Sequence, residues 1–555
     1  MEDAMAAFET VCRAFTNPSF YHHPVNTIQR IDTHISAVFL TGPWVYKLKK
    51  PVNFGFLDFS RLESRCHYCH REVLLNQRFS RGVYDKVATV RQAPSGTLSL
   101  DGPGSLVECA VVMRQLPWHQ SLEALLAQGA LKAEHWRKLG KRLADFYVQA
   151  ERNDEIRRFG TLAVISQNAM ENFDQTAPFV GTLLDAEKWH LIHNVNQVFM
   201  ESHSDLFEAR LKEDRICDGH GDVRTDHIYF VDDGIQIIDA IEFNDRFRFG
   251  DAAADLAFLH LDLDHRGAFS QSLLVLHAYA RRAHDPSLYR VLDFYACYRA
   301  MVRVKVSCLR HRELTEDEGR NFQDAEAAAG RRLAARFLDL AYTYAATMTR
   351  PTLYVFCGLP GSGKSFHGQK LAEAFRLSLV ATDALRRELF QEFQEGLPEK
   401  TAYGAGLYHK DRRRMVYAHL LNRAHEQLKK RRSVILDATF GERKWREEAM
   451  RLAQDQDANI IVVECRCSEN TLAQRLAKRS WQPGLSDARI HHLPHFLQEA
   501  EPLTEPLPPH SHLVCHTEGD PDDVFYQLLA DLYGLQCAQT RARLGPINRL
   551  SPAPG

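Results

Sequence analysis

The stretch from Thr352 to Phe375 constrains the fold of this chain more than any other. Residues 352–357 form an uninterrupted apolar, β-rich run, and residues 366–375 have the composition of a helix. Between them lies a complete G-x-x-x-x-G-K-S motif, made of Gly358, Leu359, Pro360, Gly361, Ser362, Gly363, Lys364 and Ser365. In such a loop, backbone N–H groups surround an anion, the lysine reaches the terminal phosphates and the serine hydroxyl is placed for Mg²⁺. The sequence therefore predicts a nucleoside triphosphate site, with ATP as the default and GTP as the alternative.

Two aspartates end predicted strands in the same half of the chain. Asp437 follows a buried apolar run, an arrangement that holds Mg²⁺ through water beside Ser365. Asp383 ends another run, and Arg386 follows three residues later. This second pattern resembles the acceptor side of P-loop small-molecule kinases and polynucleotide 5′-hydroxyl kinases. The resemblance implies that Asp383 accepts or orients the acceptor hydroxyl and that Arg386 binds a phosphate or the acceptor. The alternative is a helix-capping aspartate with a solvated arginine.

Arg475 and Arg479 lie four residues apart, on one face of the helix predicted after the strand at 459–465. The same kinases commonly carry lid arginines at this place, which clamp the transferring phosphoryl group. The resemblance therefore implies that role for both arginines, and a surface charge pair is the alternative.

The N-terminal half contains a second constellation. It begins with His220-Gly221-Asp222, continues with a short strand that ends in Asp239, and is followed by G-D-A-A-A-D-L-A from Gly250. This part of the chain resembles the aminoglycoside phosphotransferase and choline kinase branch of the protein-kinase-like fold. The resemblance implies that Asp222 is the catalytic aspartate and that Asp239 binds the metal. A carboxylate for the acceptor hydroxyl and metal ligands for the phosphates are what such a kinase requires.

Upstream of this constellation, two lysines share one face of a predicted strand. Alternation places Val45, Lys47 and Lys49 on the same side of that strand. In the resemblance, Lys47 matches the phosphate-pairing lysine, Lys49 is the alternative on the same face, and Glu72 is the partner on the following helix. We therefore expect Lys47 and Glu72 to contribute to a nucleotide site.

Two positions depart from the family pattern. The family places an asparagine five residues after the catalytic aspartate as a second metal ligand, and this chain has His227, whose imidazole is a poorer Mg²⁺ ligand. A glycine-rich loop before Lys47 is also missing, since only Thr41-Gly42-Pro43 precedes it. The alternative for the N-terminal half is therefore a kinase-like binding or regulatory module without catalysis.

At 555 residues the chain is too long for one ordinary core. We predict a protein-kinase-like two-lobed domain at 1–346, with a small lobe at about 30–115 and a helical large lobe at about 118–346. A P-loop NTPase domain, with a parallel sheet flanked by helices, is predicted at 350–536, and a disordered tail at 537–555. The fold class is multidomain, α+β and then α/β. The whole resembles bacterial two-domain proteins that fuse an aminoglycoside-phosphotransferase-like domain to a P-loop kinase-like ATPase domain of the AAA family.

Composition narrows the partners and the compartment. The formal net charge of −2 gives no basic excess, which favours a small-molecule acceptor over nucleic acid. The start, MEDAMAAFET, has no signal-peptide pattern, and no apolar run reaches membrane-spanning length, so we expect a cytoplasmic protein without a membrane partner. The twelve cysteines are scattered and are expected to be mostly free thiols. Cys66-His67-Tyr68-Cys69-His70 matches C-x-x-C-H, but two helix-borne thiols explain it better than a haem or zinc site.

The main hypothesis is an ATP- and Mg²⁺-dependent phosphotransferase. The P-loop domain would transfer the γ-phosphoryl group to a hydroxyl acceptor, with Lys364 stabilising charge and Asp383 as the base, and the N-terminal half would be a second kinase. The alternative is a regulatory ATPase, in which nucleotide binding or hydrolysis switches contacts between domains. The sequence leaves open the acceptor, the coupling of the two sites and the oligomeric state.

Overall fold

A computed structural model describes residues 2–55, 57–316, 323–390, 409–479 and 490–545. The helices of these residues are α1 (Glu2–Phe15), α2 (Leu62–Asn76), α3 (Leu122–Ala127), α4 (Ala133–Gln149), α5 (Asp154–Arg158), α6 (Leu162–Thr176), α7 (Ala186–Ser202), α8 (Ser204–Lys212), α9 (Asp245–Arg248), α10 (Ala252–His265), α11 (Phe269–Ala283), α12 (Leu288–Glu316), α13 (Gln323–Met348), α14 (Lys364–Phe375), α15 (Thr382–Leu389), α16 (Lys410–Lys429), α17 (Arg443–Asp455), α18 (Glu469–Arg479), α19 (Leu493–Glu499) and α20 (Pro521–Leu544). The strands are β1 (Gln29–Asp32), β2 (Ser36–Leu40), β3 (Trp44–Lys49), β4 (Tyr84–Gln92), β5 (Leu98–Leu100), β6 (Ser105–Arg114), β7 (Ile216–Asp218), β8 (Ile228–Val231), β9 (Gly234–Ile237), β10 (Phe249–Asp251), β11 (Thr352–Cys357), β12 (Ser378–Ala381), β13 (Val434–Asp437), β14 (Asn459–Arg466) and β15 (His512–His516).

The chain divides into two compact units. Unit 1 comprises Met1–Asn168 and His203–Val275, and unit 2 comprises Ala169–Ser202 and Leu276–Gly555. The boundary predicted near residue 350 lies inside unit 2, because α12 and α13 pack against each other, against α7 and against α20. The division into domains at 1–346 and 350–536 stays a prediction about the architecture of the family.

Unit 1 contains a six-stranded antiparallel sheet in the order β1-β2-β3-β6-β4-β5. Side chains alternate between its faces. Tyr46 and Leu48 of β3 pack in a cluster with Phe15 of α1, whereas Val45 packs in a cluster with Val73 of α2. Odd-numbered positions of β3 therefore face α2. The predicted strand at 44–50 and its alternation are confirmed, and both lysines lie on the α2 side of the sheet.

Two short antiparallel pairs complete the strands of unit 1, β7 with β10 and β8 with β9. The loop between β7 and β8 contains His220-Gly221-Asp222, and β9 leads into Asp239. Short strands with tight loops therefore bring the predicted carboxylates of Asp222 and Asp239 to one region. Among the described residues, none of the helices has both the length and the apolar composition that crossing a membrane requires.

Unit 2 contains a five-stranded parallel sheet in the order β12-β13-β11-β14-β15. All six residues of β11 are buried, as the continuous apolar run predicts. Leu353 and Val355 pack with α16 and α17 on one face, while the Tyr354 hydroxyl accepts a hydrogen bond from Gln536 of α20 on the other. The prediction of a parallel sheet flanked by helices is confirmed. Its carboxyl edge carries the P-loop.

The tail begins later than predicted. α20 continues to Leu544, with Cys537 and Thr540 buried on its inner face, so residues 537–544 are helical and not a disordered tail. The apolar side of this helix packs on β14 and β15 and so overrides the polar composition of the segment. Residues 546–555 lie outside the described part of the chain.

Candidate functional site

The P-loop of unit 2 has the backbone that phosphate binding requires. Gly358 and Gly363 have φ angles of +138° and +94°, in the region that favours glycine. A Cβ at Gly358 would lie 2.5 Å from the carbonyl oxygen of Cys465, so no side chain fits there. The loop leads directly into α14, which begins at Lys364. The Oγ atom of Ser362 is buried and has no hydrogen-bond partner within the described part of the chain. These features fit a bound phosphate chain.

The two predicted aspartates of unit 2 lie at the same edge of the sheet as the P-loop. Asp437 ends β13 and pairs in register with Phe356 of β11 and with Ala381 of β12. Asp383 follows β12 in the first turn of α15. Because parallel strands end at one edge, these carboxylates meet the P-loop, and all three line a cavity of about 390 Å³ together with Lys364 and Ser365.

Ser365 and Asp437 are the residues of this cavity that could hold Mg²⁺. A hydroxyl and a carboxylate offer the hard oxygen ligands that this ion prefers, and the rest of its octahedron is normally completed by phosphate oxygens and water. Both side chains line the cavity at the P-loop. The residues present therefore fit the predicted metal.

Asp383 and Arg386 form an ion pair with each other. Nη1 of Arg386 donates to Oδ1 of Asp383 at 2.5 Å across one helical turn. The N-terminal cap of α15 is Ala381, so Asp383 does not cap the helix, and the capping alternative is wrong. The guanidinium group keeps the carboxylate at the cavity wall in one orientation, as a group that receives a proton from a bound acceptor would need.

Arg475 contacts the P-loop from outside the cavity. Its Nη1 donates to the carbonyl oxygen of Gly361 at 3.2 Å and to Oγ1 of Thr517 at 3.0 Å, and its Nη2 donates to the carbonyl oxygen of Thr517 at 2.6 Å. Arg475 is not among the residues that line the cavity. In this structure it therefore positions the loop, and its role as a phosphoryl clamp stays a prediction. The side chain of Arg479 lies outside the described residues.

Thr517 is a positioning residue that sequence reasoning missed. Its buried hydroxyl donates to the carbonyl oxygen of Ser362 at 2.6 Å, which fastens the P-loop to the end of β15. A Cβ at Gly363 would lie 3.1 Å from Cβ of Thr517, so the two backbones pack closely. The only signal in the sequence is that Thr517 follows a strand, because its partner is 155 positions away.

The predicted site of unit 1 centres on Lys47. Its Nζ donates to Oδ1 of Asp239 at 2.5 Å and lies 2.9 Å from Oε1 of Glu72. Burial alone would lower the pKa of Lys47, but these two carboxylates raise it well above its ordinary value. Burial likewise opposes ionisation of Asp239, yet Lys47 holds its pKa well below the usual range. Lysine, glutamate and aspartate are thus brought together as predicted, all in charged form.

Lys49 lies deeper than Lys47. Its side chain is fully buried, and Nζ donates to Oε2 of Glu72 at 2.7 Å and to the buried carboxylate of Glu242. Lys47 is 14% exposed and its partner Asp239 is 42% exposed. The sequence left the choice between the two lysines open. The depth of burial assigns Lys49 to the interior and leaves Lys47 at the accessible side.

The backbone around Asp239 is strained and held by side chains. Asp239 has a φ of +67°, which is unusual for a residue with a side chain and is typical of functional sites. The hydroxyl of Tyr84 accepts from the N–H of Asp239 at 3.2 Å, and Oδ1 of Asn76 accepts from the N–H of Ala240 at 2.8 Å. Neither Tyr84 nor Asn76 was expected at the site from sequence. Together they fix the backbone at Asp239 and Ala240.

The loop of Asp222 is braced by buried groups. Oδ2 of Asp255 accepts from the N–H of His220 at 2.8 Å, and Oδ1 accepts from the N–H of Gly221 at 3.0 Å, so Asp255 braces this loop. Nε of Arg224 lies 3.0 Å from Oδ1 of Asp222. The candidate catalytic carboxylate is therefore held by an arginine two residues further along the chain.

Both ring nitrogens of His227 are engaged. Nδ1 lies 2.9 Å from the carbonyl oxygen of Asp222 and donates to it, while Nε2 accepts from Nη2 of Arg224 at 3.0 Å. Nε2 also lies 3.7 Å from Oδ2 of Asp239. The structure thus places His227 beside the candidate metal aspartate, with its lone pair directed to Arg224. Its role as a metal ligand stays a prediction.

The first hairpin of unit 1 has no glycine in its turn. β1 and β2 form this hairpin, and their turn is Thr33-His34-Ile35. Thr41-Gly42-Pro43, the only glycine-containing turn expected before Lys47, connects β2 with β3. The strand β1 was not predicted, because it is mostly exposed and its burial does not alternate.

Comparisons with known proteins identify relatives of the whole chain and of its C-terminal part. The AAA domain family matches residues 353–503. An uncharacterized protein of Mycobacterium tuberculosis is 32% identical over 469 residues, which cover 84% of this chain and 89% of that protein. An uncharacterized protein of Mycobacterium bovis matches with the same identity and coverage.

Solved structures similar to this chain include a choline/ethanolamine kinase family protein from Mesorhizobium loti and a gluconokinase from Sinorhizobium meliloti 1021. The first is 13% identical with a TM-score of 0.34, and the match covers 60% of this chain and 99% of that chain. The second is 24% identical with a TM-score of 0.24, and the match covers 35% of this chain and 93% of that chain. At these TM-scores neither structure bears on the function of the chain.

Proposed function

We propose that this chain, which belongs to the same protein family as the two mycobacterial proteins, is an ATP-dependent phosphotransferase. Its P-loop domain would transfer the γ-phosphoryl group of ATP to a hydroxyl group of an acceptor. A small molecule is favoured over a nucleic acid as acceptor, because the chain has no basic excess.

One observation supports this proposal above the others. The P-loop, the carboxylate of Asp437 and the carboxylate of Asp383 line one cavity at the carboxyl edge of a parallel sheet. A site that only hydrolysed or sensed nucleotide would need the first two groups. The third lines the same cavity, is held by Arg386 at 2.5 Å, and suits a base for an acceptor hydroxyl.

The residues of the cavity have distinct roles in this proposal. Lys364 and the loop N–H groups stabilise the negative charge that spreads over the phosphate oxygens during transfer. Asp383 receives the proton of the acceptor hydroxyl as its oxygen attacks phosphorus. Arg475 and Thr517 hold the loop in place. Mg²⁺, when bound at Ser365 and Asp437, would neutralise charge on the phosphates.

The test is phosphate transfer from ATP, followed by mass, with the full-length protein against a library of hydroxyl-bearing metabolites and oligonucleotides. We expect Lys364→Ala to lose nucleotide binding and transfer together. Asp383→Asn should bind ATP normally and lose transfer by about 10²- to 10⁴-fold, the usual contribution of a general base. Asp455→Asn, the same change at an exposed position of α17, is the matched control. An unchanged transfer rate in Asp383→Asn would refute the assignment.

Unit 1 has two candidate roles. As a second kinase, it would use Asp222 as the base and Asp239 as the metal ligand. As a binding or regulatory module, it would carry no chemistry, and this alternative is favoured by the absence of glycine from the turn between β1 and β2. Asp222→Asn separates the two, because a second kinase loses a transfer product of its own while a binding module loses none.

A further inference from the structure

A disulfide bond joins two elements of the unit 1 site. Cys66 of α2 is bonded to Cys109 of β6, with their Cα atoms 5.1 Å apart and a separation of 43 in the sequence. All twelve cysteines lie in the described ranges, and the other ten are free thiols, as expected from the sequence. One residue before each bonded cysteine, Nε of Arg65 donates to Oε2 of Glu108 at 2.8 Å. The N-terminal half of α2 is therefore attached to β6 by one covalent bond and one ion pair.

The attached helix carries the central carboxylate of the site. Glu72 lies in the second half of α2 and binds both Lys47 and Lys49 of β3. β3 is the direct neighbour of β6, with Lys47 opposite Val111. The bond between Cys66 and Cys109 therefore connects the helix of Glu72 to the strand beside its lysines. A shift of α2 on the sheet would separate Glu72 from both lysines.

The two bonded cysteines differ in their exposure to solvent. Cys66 is half-buried, whereas Cys109 is only 2% exposed. Cys69, one turn further along α2, is buried, and its thiol donates to the carbonyl oxygen of Cys109 at 3.6 Å. Burial raises the pKa of Cys69 to about 12, so this thiol is a poor nucleophile. A reagent from solution reaches the pair at Cys66, and Cys69 does not compete for it.

We propose that Cys66 and Cys109 form a reversible oxidation site, which fixes α2 on the sheet when oxidised and lets it open more often when reduced. The chemical class of the oxidant is a small-molecule disulfide such as glutathione disulfide. The Cys66 thiolate attacks one of its sulfurs, forms a mixed disulfide and expels one glutathione thiolate. The Cys109 thiolate then attacks the Cys66 sulfur and expels the second. Two protein thiols lose two electrons and two protons, and one glutathione disulfide becomes two glutathione molecules.

The disulfide bond between Cys66 and Cys109 stabilises the part of unit 1 that carries Glu72. A disulfide typically stabilises a fold by more than a factor of ten in its equilibrium constant, and more for a long closed loop than for a short one. The loop closed here contains most of α2 and all of β4 and β5. The Arg65–Glu108 ion pair and the packing of Val73 remain after reduction, so α2 keeps its place on average but opens more often.

The test uses the full-length protein in glutathione buffers of graded ratio, without nucleotide. Differential alkylation and mass spectrometry report the oxidation state of each cysteine, and hydrogen exchange reports the opening of α2 and β3. We expect Cys66 and Cys109 to become protected together as the buffer becomes oxidising, and to be recovered by dithiothreitol without denaturant. Exchange of the α2 amides should be at least about tenfold faster in the reduced protein, because the bond is worth more than that factor.

Two variants make the result specific. Cys66→Ala should exchange like the reduced wild type in every buffer, whereas Cys69→Ala, the matched change one turn away, should keep the dependence on the buffer. The proposal fails if Cys66 and Cys109 stay open to alkylation at every ratio, or if the bond resists dithiothreitol in the folded protein. It fails equally if the bond cycles and the exchange of α2 does not change.

Discussion

Replacement of Lys47 or of Lys49 by methionine should affect unit 1 differently. Lys49→Met should mainly lower its stability, whereas Lys47→Met should mainly lower its affinity for nucleotide. Lys49→Met removes the cation from a fully buried group of charges and leaves the carboxylate of Glu242 without its nearest partner. Breaking a buried ion pair in this way costs about 3–5 kcal/mol of unfolding free energy. Lys47→Met costs less, about 1 kcal/mol, because Glu72 keeps Lys49 and the 42% exposed side chain of Asp239 regains water.

The loss of triphosphate binding should follow the reverse order, with a large loss for Lys47→Met and a small one for Lys49→Met. Lys47 lies at the accessible side of the site, so its loss should abolish binding to unit 1, while folded Lys49→Met protein should retain binding. The assay is urea unfolding of the full-length variants, with hydrogen exchange in β3 to separate the transition of unit 1 from that of unit 2. Nucleotide affinity is measured by calorimetry in proteins that also carry Lys364→Ala, which should prevent nucleotide binding at the P-loop. Lys86→Met, on the exposed surface of β4, is the control.

Two outcomes would refute the assignment of the lysines. If Lys49→Met unfolds at the same urea concentration as wild type, the buried charges are not coupled as the contacts indicate. If Lys47→Met keeps the nucleotide affinity and Lys49→Met loses it while remaining folded, the deeper lysine is the ligand-binding one.

Two further predictions concern pH and the P-loop. Burial raises the pKa of Glu108 from its ordinary 4.5 to about 7, although Arg65 opposes the shift. The folded state therefore favours the protonated carboxyl, and stability that is complete below pH 4.5 is lost as the pH rises through 7, by roughly 3 kcal/mol. Urea midpoints across this range should lose this pH dependence in Glu108→Gln, and an unchanged slope would contradict the argument. Thr517→Val leaves the carbonyl of Ser362 without its buried donor and should weaken ATP binding about tenfold in calorimetry. The matched change Thr471→Val on α18 should not, and equal affinities for both variants would remove Thr517 from the site.

The P-loop site was predictable because its parts are local. The loop, the strand before it and the helix after it are contiguous, Asp437 ends an apolar strand, and Asp383 follows another by two residues. The rule that parallel strands end at one edge then brings them together. Thr517 belongs to no such local pattern, because its contact with Ser362 depends on β15 lying beside β14. No pattern within a single element indicates such a neighbour.

In unit 1 the sequence predicted which face of the strand the lysines lie on, but not how deeply each lysine is buried. Alternation placed Lys47 and Lys49 on one side of β3, and only the packing of α2 and the position of Glu242 distinguish them. The bond between Cys66 and Cys109 was missed for a similar reason. Cys66 seemed to belong with Cys69 in one local motif, whereas the fold pairs it with a strand 43 positions away. Three-dimensional packing, and not periodicity, decides both cases.

The two candidate sites differ in the charges that a phosphate group would meet, and this difference bears on what unit 1 would bind. In the P-loop, the N–H groups of Gly358 and Ser362 donate to carbonyl oxygens of the protein, and the N-terminal end of α14 with Lys364 would receive the anion. In unit 1, Lys47 and Asp239 already neutralise each other at 2.5 Å. A bare anion that takes Lys47 leaves the 42% exposed carboxylate of Asp239 without its cation, at the same cost of about 1 kcal/mol as Lys47→Met. A ligand that brings a cation together with its anion replaces both partners at once. If unit 1 binds nucleotide, we therefore expect it to bind a metal-bound phosphate ester more tightly than a free one.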